Sequence, residues 1–111
     1  MITPKQRRHL RAIGHKLKPV VQVGKGGLDD GLYQAIEQAL LDHELIKIKV
    51  GENAGMERHE AAEAIAARTK GDVAQVLGNI VLLYRAHPDA PTIELTGSAR
   101  AERVAPPKRG A

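Results

Sequence analysis

The chain of 111 residues, 42% of them hydrophobic, is long enough for one domain with a real core. It has no cysteine, phenylalanine or tryptophan and two tyrosines, which excludes a disulfide framework, thiolate metal sites and a platform of stacked aromatics. The net charge of +4 is unevenly spread: residues 1–27 hold seven cations and no acid, residues 28–99 hold six cations against twelve acids, and residues 100–111 return to +3.

In chain order, Thr3-Pro4 marks a helix start, with Thr3 as cap and Pro4 at the first helical position. The helix is predicted from Pro4 to His15. Leu10 and Ile13 face the core with Ala12 near them, and Gly14 weakens the end. Lys5, Arg8 and Arg11 recur at three-residue steps and Arg7 stands four before Arg11, so one broad exposed side collects the cations. Lys18-Pro19 breaks the helix, and Val20–Val23 forms a short β-branched strand that ends at Gly24-Lys25-Gly26-Gly27. Asp29 or Asp30 caps a second helix, roughly Asp30 to His43, with Leu32, Ile36, Ala39 and Leu40 as its apolar stripe.

Glu44–Val50 alternates. Leu45, Lys47 and Lys49 share one face, and Ile46, Ile48 and Val50 share the other. The lysine face must meet solvent or an anion. Gly51–Gly55 is a turn. A third helix, about Met56 to Lys70, uses Ala61, Ile65 and Ala66 for its core contacts and Gly71 as its stop. Val73–Leu77 and Ile80–Tyr84 are two β runs joined as a hairpin by Gly78-Asn79. Tyr84 packs at the end of its strand. Thr92–Thr96 is a weak edge strand, and a basic flexible tail follows from Gly97.

The order α-β-α-β-α-β-β implies an α/β (α+β) domain, a four-stranded mixed sheet packed with three helices. Helix crossovers are expected to join parallel neighbours, and the final hairpin is antiparallel. The domain is placed at residues 1–86, and residues 87–111 are read as a basic, flexible C-terminal extension.

The glycine loop admits three readings: a plain turn, a nucleotide pocket, or a grip on a nucleic-acid backbone. A Walker loop needs Ser or Thr after its lysine, but Gly26 follows Lys25. A dinucleotide fingerprint needs glycine where Asp29 stands. None of the five histidines falls in a His-Glu-x-x-His pattern, and the only serine is Ser98. No catalytic constellation, metal site or cofactor is expected.

A Gly-x-x-Gly loop between strand and helix lets the main chain approach a sugar-phosphate backbone, because no Cβ intervenes, and the next helix aims its N-terminal N–H groups the same way. Such loops clamp single-stranded RNA. Many plain strand–helix turns also hold two glycines, so the acid-free segment before the loop is what tips the balance. Asp29 and Asp30 oppose phosphate binding and are assigned to capping.

The succession KQRRHLRAIGHKLKPVVQVGKGGLDDGLYQAIEQALLDHELIKIKV, the alanine-rich helix and GNIVLLYR together resemble the CRM domain family (chloroplast RNA splicing and ribosome maturation), most closely its bacterial stand-alone YhbY-like type, over about residues 3–86. The resemblance implies an RNA-binding domain similar in fold to the C-terminal domain of translation initiation factor three. It puts the family's loop on Gly24, Lys25, Gly26 and Gly27, and a link to precursors of the large ribosomal subunit. The chain departs from the family in its extension, His87 to Ala111.

The leading expectation is a non-catalytic, monomeric, cytoplasmic RNA-binding protein of ribosome assembly. Gly24 to Gly27 approach the RNA, with phosphate contacts from Lys5, Arg8, Arg11, Lys16, Lys18 and Lys25 and an extended surface at Lys47 and Lys49. The rival readings are a basic adaptor for an acidic protein, a small phosphoryl-handling enzyme and a DNA binder. No run reaches the ~18 apolar residues of a membrane span, MITPKQRRHLRAIG lacks a secretory apolar segment, and the lack of cysteine fits a reducing cytoplasm.

Overall fold

The computed structural model describes residues 2–93. Helix α1 spans Pro4–Gly14. The Thr3 hydroxyl accepts the Gln6 N–H at 3.1 Å while the Gln6 side chain accepts the Thr3 N–H at 2.9 Å. This reciprocal capping box satisfies two otherwise orphaned donors. Leu10 and Gly14 are buried and Ile13 is half-buried, but Ala12 is exposed. Ala12 lies outside the core because a step of two residues from Leu10 lands across the helix. Gly14 does more than end the helix: a Cβ there would sit 2.7 Å from Leu82 Cδ1, so its bareness sets how closely α1 approaches the sheet.

Strand β1 (Pro19–Val23) leads through the glycine loop to α2 (Asp30–His43), which buries Tyr33, Ile36 and Leu40. The Asp29 carboxylate accepts the Leu32 N–H at 2.8 Å and caps α2. After β2 (Leu45–Val50), a short 3₁₀ turn covers Glu52–Ala54. Helix α3 spans Arg58–Thr69, shorter than Met56 to Lys70, because the Glu57 carboxylate caps it by accepting the His59 and Glu60 N–H groups. The left-handed residue that ends α3 is Lys70 (φ 61°), not Gly71. Gly71 instead makes room for the sheet, since a Cβ there would lie 3.2 Å from both Leu83 Cδ1 and the Tyr84 carbonyl.

Strands β3 (Asp72–Leu77) and β4 (Ile80–Tyr84) form the hairpin, with Gly78 at φ 59°. A positive φ at the first turn residue matches the twist of a two-residue hairpin.

The sheet is four-stranded and mixed, in the order β1-β2-β4-β3. The α2 crossover joins parallel neighbours, as expected, but the α3 crossover does not: β4 lies between β2 and β3, antiparallel to both. Composition explains the order. Ile80–Tyr84 has four consecutive buried residues and takes a central place, whereas β3 carries Asp72 and Gln75 and takes an edge.

One face of the sheet, with Val23, Ile46, Ile48, Val50, Val81 and Leu83, packs on α2 and α3. The other, with Leu45, Ala74, Leu82 and Tyr84, packs on Ile2 and Leu10 at α1. The strand expected over Thr92–Thr96 is not formed at Thr92 and Ile93. The rest of that segment and the tail from Gly97 lie outside the described residues.

Candidate nucleic-acid interface

The glycine loop is a tight turn closed by the Gly27 N–H donating to the Gly24 carbonyl at 2.9 Å, with Lys25 and Gly26 exposed at its tip. Its glycines are not equivalent. Gly27 has φ +67° and a site for Cβ 3.6 Å from the Ala54 carbonyl, so its own conformation calls for glycine. At Gly24 an added Cβ would meet nothing within 4 Å, and at Gly26 it would meet only the Asp29 carboxylate, at 3.2 Å. Neither has a positive φ. The fold therefore leaves the backbone at Gly24 bare without needing it bare, whereas a side chain at Gly26 would press on the carboxylate that caps α2. The α2 N-terminus stands directly behind this turn, with one Asp29 oxygen engaged by its cap.

Because β1 and β2 are parallel and β4 runs against them, the glycine loop, Gly51–Gly55 and the Gly78-Asn79 turn all lie along one end of the sheet. The Gly51 N–H donates to the Val23 carbonyl at 2.9 Å and locks two of these loops together. Lys47 and Lys49 alternate with Leu45, so they stand on the α1 face. Lys49 pairs in register with Gln22 and Lys47 with Pro19. Lys49 is exposed and Lys47 half-buried.

Lys18 precedes the other end of β1, so a strand of five residues, about 17 Å at ~3.3 Å per residue, separates it and Lys16 from the loop. Lys47 and Lys49 lie along that interval. Lys5 and Arg8 are exposed on α1, and Arg11 is half-buried.

Pairing divides the cations. Arg85 Nη1 donates to Glu37 Oε1 at 2.7 Å and to the Thr69 carbonyl at 2.9 Å. Arg68 reaches Asp30 at 3.4 Å and lies over the Tyr33 ring at 4.4 Å from its centroid. Among the described residues, no carboxylate pairs with Lys5, Arg7, Arg8, Arg11, Lys16, Lys18, Lys25, Lys47 or Lys49. Tyr33 and Tyr84 are both buried, so neither offers a stacking face. No described group of three His, Asp or Glu side chains has the geometry to hold a metal ion, and no described helix is long and apolar enough to cross a membrane.

Sequence patterns alone missed two features. At the loop end, Gln22, Lys49, Gly51, Glu52, Asn53 and Asn79 line an open polar notch of about 420 Å³. They come from three separate segments, so no motif announces them; the one local signal is Gln22, a polar break in a β-branched run. At the opposite end, buried Glu44 accepts the N–H groups of His87, Thr92 and Ile93 at 2.7, 2.8 and 2.8 Å and the Thr92 hydroxyl at 2.6 Å. Burial pushes the Glu44 carboxyl up, but these hydrogen bonds outweigh it and hold the group below its ordinary range. The first residues of the extension, His87 to Ile93, are thus tied to the domain.

Comparison with known proteins gives consistent matches. The CRS1 / YhbY (CRM) domain pattern matches residues 2–85. Over 95 residues the chain is 39% identical to YqeI of Bacillus subtilis, named a probable RNA-binding protein, covering 86% of this chain and 99% of the relative. It is 40% identical over 92 residues to a Haemophilus influenzae protein named an RNA-binding protein, covering 80% of this chain and 90% of the relative. The solution structure of a hypothetical protein from Staphylococcus aureus matches with a TM-score of 0.74 at 36% identity, covering 86% of this chain and 99% of that one.

Proposed function

This chain belongs to the CRS1 / YhbY (CRM) domain family, and from that premise we propose that it is a non-catalytic RNA-binding protein acting in assembly of the large ribosomal subunit. Relatives named as RNA-binding proteins support the RNA partner. The observation that carries the reading is local. A turn that opens on a sterically unneeded glycine, Gly24, fronts a helix N-terminus, and its lysine and the other N-terminal cations have no carboxylate partner among the described residues.

In this reading Gly24, Lys25, Gly26 and Gly27 meet the RNA backbone. Lys25 and the α2 N–H groups face phosphate. Lys49 and Lys47 continue the contact down the β1–β2 seam towards Lys18 and Lys16, and Lys5, Arg8 and Arg11 add the α1 flank. With both tyrosines buried, recognition leans on phosphates, 2′-hydroxyls and hydrogen bonds rather than stacking. The protein acts as a monomer in the cytoplasm, and its basic tail adds non-specific attraction.

Two measurements test this. In filter-binding titrations, a folded Lys25→Glu variant loses single-stranded RNA affinity; unchanged affinity refutes the loop assignment. Crosslinking in cells, followed by sequencing of the bound RNA, enriches precursors of large-subunit ribosomal RNA. An even spread over messenger RNA removes the assembly role while leaving RNA binding in place, and capture of an acidic protein without RNA favours the adaptor reading.

A further inference from the structure

We infer that the notch beside the glycine loop receives one unstacked guanine base, so that the loop holds the backbone and the notch reads the sequence. This rests on the RNA-binding reading above and adds a specificity site to it. The notch adjoins the loop by two contacts: Gly51 is hydrogen-bonded to Val23, and the Ala54 carbonyl faces Gly27. A nucleotide whose phosphate lies at Lys25 therefore has its neighbouring bases within reach of the Gly51–Ala54 loop. Gln22 bends over this floor, its Nε2 being 3.5 Å from where a Gly51 Cβ would stand. The glycine at 51 is itself required by the fold, since that Cβ would lie 3.0 Å from the Val23 carbonyl.

The chemistry of the lining selects the base. Lys49 and Glu52 line the same notch with opposite charges, yet no ion pair joins them among the described residues. The side chains of Gln22, Asn53 and Asn79 are exposed and make no hydrogen bond to the described protein. A carboxylate at this rim repels phosphate and accepts N–H donors. Guanine presents two adjacent donors, N1–H and the N2 amino group, which match the two oxygens of Glu52. Its O6 and N7 are acceptors for an ammonium such as Lys49. The other bases offer a carboxylate a single donor group on the pairing edge. The three carboxamides, each carrying both donor and acceptor, can complete the base and ribose contacts.

The test uses the full chain and fluorescence anisotropy with a short oligouridylate, the same oligomer with one central guanosine, and a third with inosine there. The natural chain binds the guanosine oligomer about tenfold more tightly than oligouridylate, the scale of one good bidentate base contact. Inosine, which lacks the N2 amino group, falls between them. Glu52→Gln brings guanosine close to uridine, and oligouridylate affinity does not fall, because the substitution removes a charge that repels phosphate. Equal affinity of the natural chain for guanosine and uridine, or a preference that survives Glu52→Gln, overturns the notch and leaves the backbone clamp standing. Failure to bind any of the oligomers overturns the clamp and the notch together.

Discussion

The two ends of the sheet treat polar groups in opposite ways. At the end where β1 begins and β4 finishes, the buried and half-buried ones are spent on the protein itself, although Lys16 and Lys18 there have no carboxylate partner among the described residues. Glu44 takes four hydrogen bonds, and Arg85 bridges α2 to the end of α3. Glu44 holds a positive φ of 65° to do so, a conformation that costs a non-glycine residue of order 1 kcal/mol or more. At the opposite end, the side chains of Lys25, Lys49, Glu52, Asn53 and Asn79 have no polar partner among the described residues, and the backbone at Gly24 is bare without steric need. Satisfied groups hold a fold together, and an array of unsatisfied ones along a rim is free to bind something else. Mutations of the hydrogen-bonded groups at the first end should therefore cost stability, and mutations at the second should cost binding.

The largest effect is expected at Glu44. Glu44→Ala removes a buried charged acceptor from the part-buried N–H groups of His87, Thr92 and Ile93 and should lower unfolding free energy by about 2–3 kcal/mol, read from urea denaturation. RNA affinity of the folded fraction should be unchanged. A variant as stable as the parent, or one that loses RNA binding while folded, would erase the contrast between the two ends.

Acid probes the same knot without mutation. The Glu44 carboxyl is held below its ordinary range, so its stabilisation is complete above the unfolded-state value and is lost as pH falls through the lowered native one. The Thr92 and Ile93 amides should therefore lose hydrogen-exchange protection only below the ordinary glutamate range, and Glu44→Gln should remove that pH dependence. Arg85→Met is expected to cost less than Glu44→Ala, about 1–2 kcal/mol, since it strips the Thr69 carbonyl of a donor and frees a partly exposed Glu37.

The sequence made the periodic elements plain and hid what depended on three-dimensional proximity. Leu32, Ile36 and Leu40 marked out α2, and the alternation through Leu45–Val50 marked both faces of β2. The special role of Gly14 was hidden because it belongs to a contact with Leu82, far along the chain. Gly71 carried the right residue type for a helix stop, yet Lys70 adopts the left-handed conformation and Gly71 is kept bare by Leu83 and Tyr84. The central place of β4 follows from competition among strands for burial, which no single strand displays. Glu44 read only as the first residue of the alternating stretch Glu44–Val50, since its partners come more than forty residues later. Of the candidate site, the glycine loop and the acid-free cations were legible as motif and composition. The notch, drawn from three segments, was not.

Gly24 offers the sharpest separation of the two ends. Gly24→Ala meets no atom within 4 Å and no positive φ. It should leave stability unchanged or raise it by about 0.4–1 kcal/mol through the unfolded chain, while weakening RNA binding. A variant that binds RNA as the parent does would make this glycine a neutral turn residue.

The smallest effect is expected at single lysines, and it distinguishes charge from shape. On single-stranded RNA each neutralised phosphate contributes about −0.7 to the slope of log K against log salt. Lys25→Ala should therefore flatten the slope by less than one unit, and Lys18→Ala by a similar amount if the seam through Lys47 and Lys49 carries the strand to the far end of β1. Gly24→Ala removes no charge, so it should lower affinity in parallel at every salt concentration. If Lys18→Ala left the slope untouched while Lys25→Ala flattened it, the contact would be confined to the loop end. The cations beyond β1 would then supply only long-range attraction, screened beyond about 8–10 Å at physiological salt.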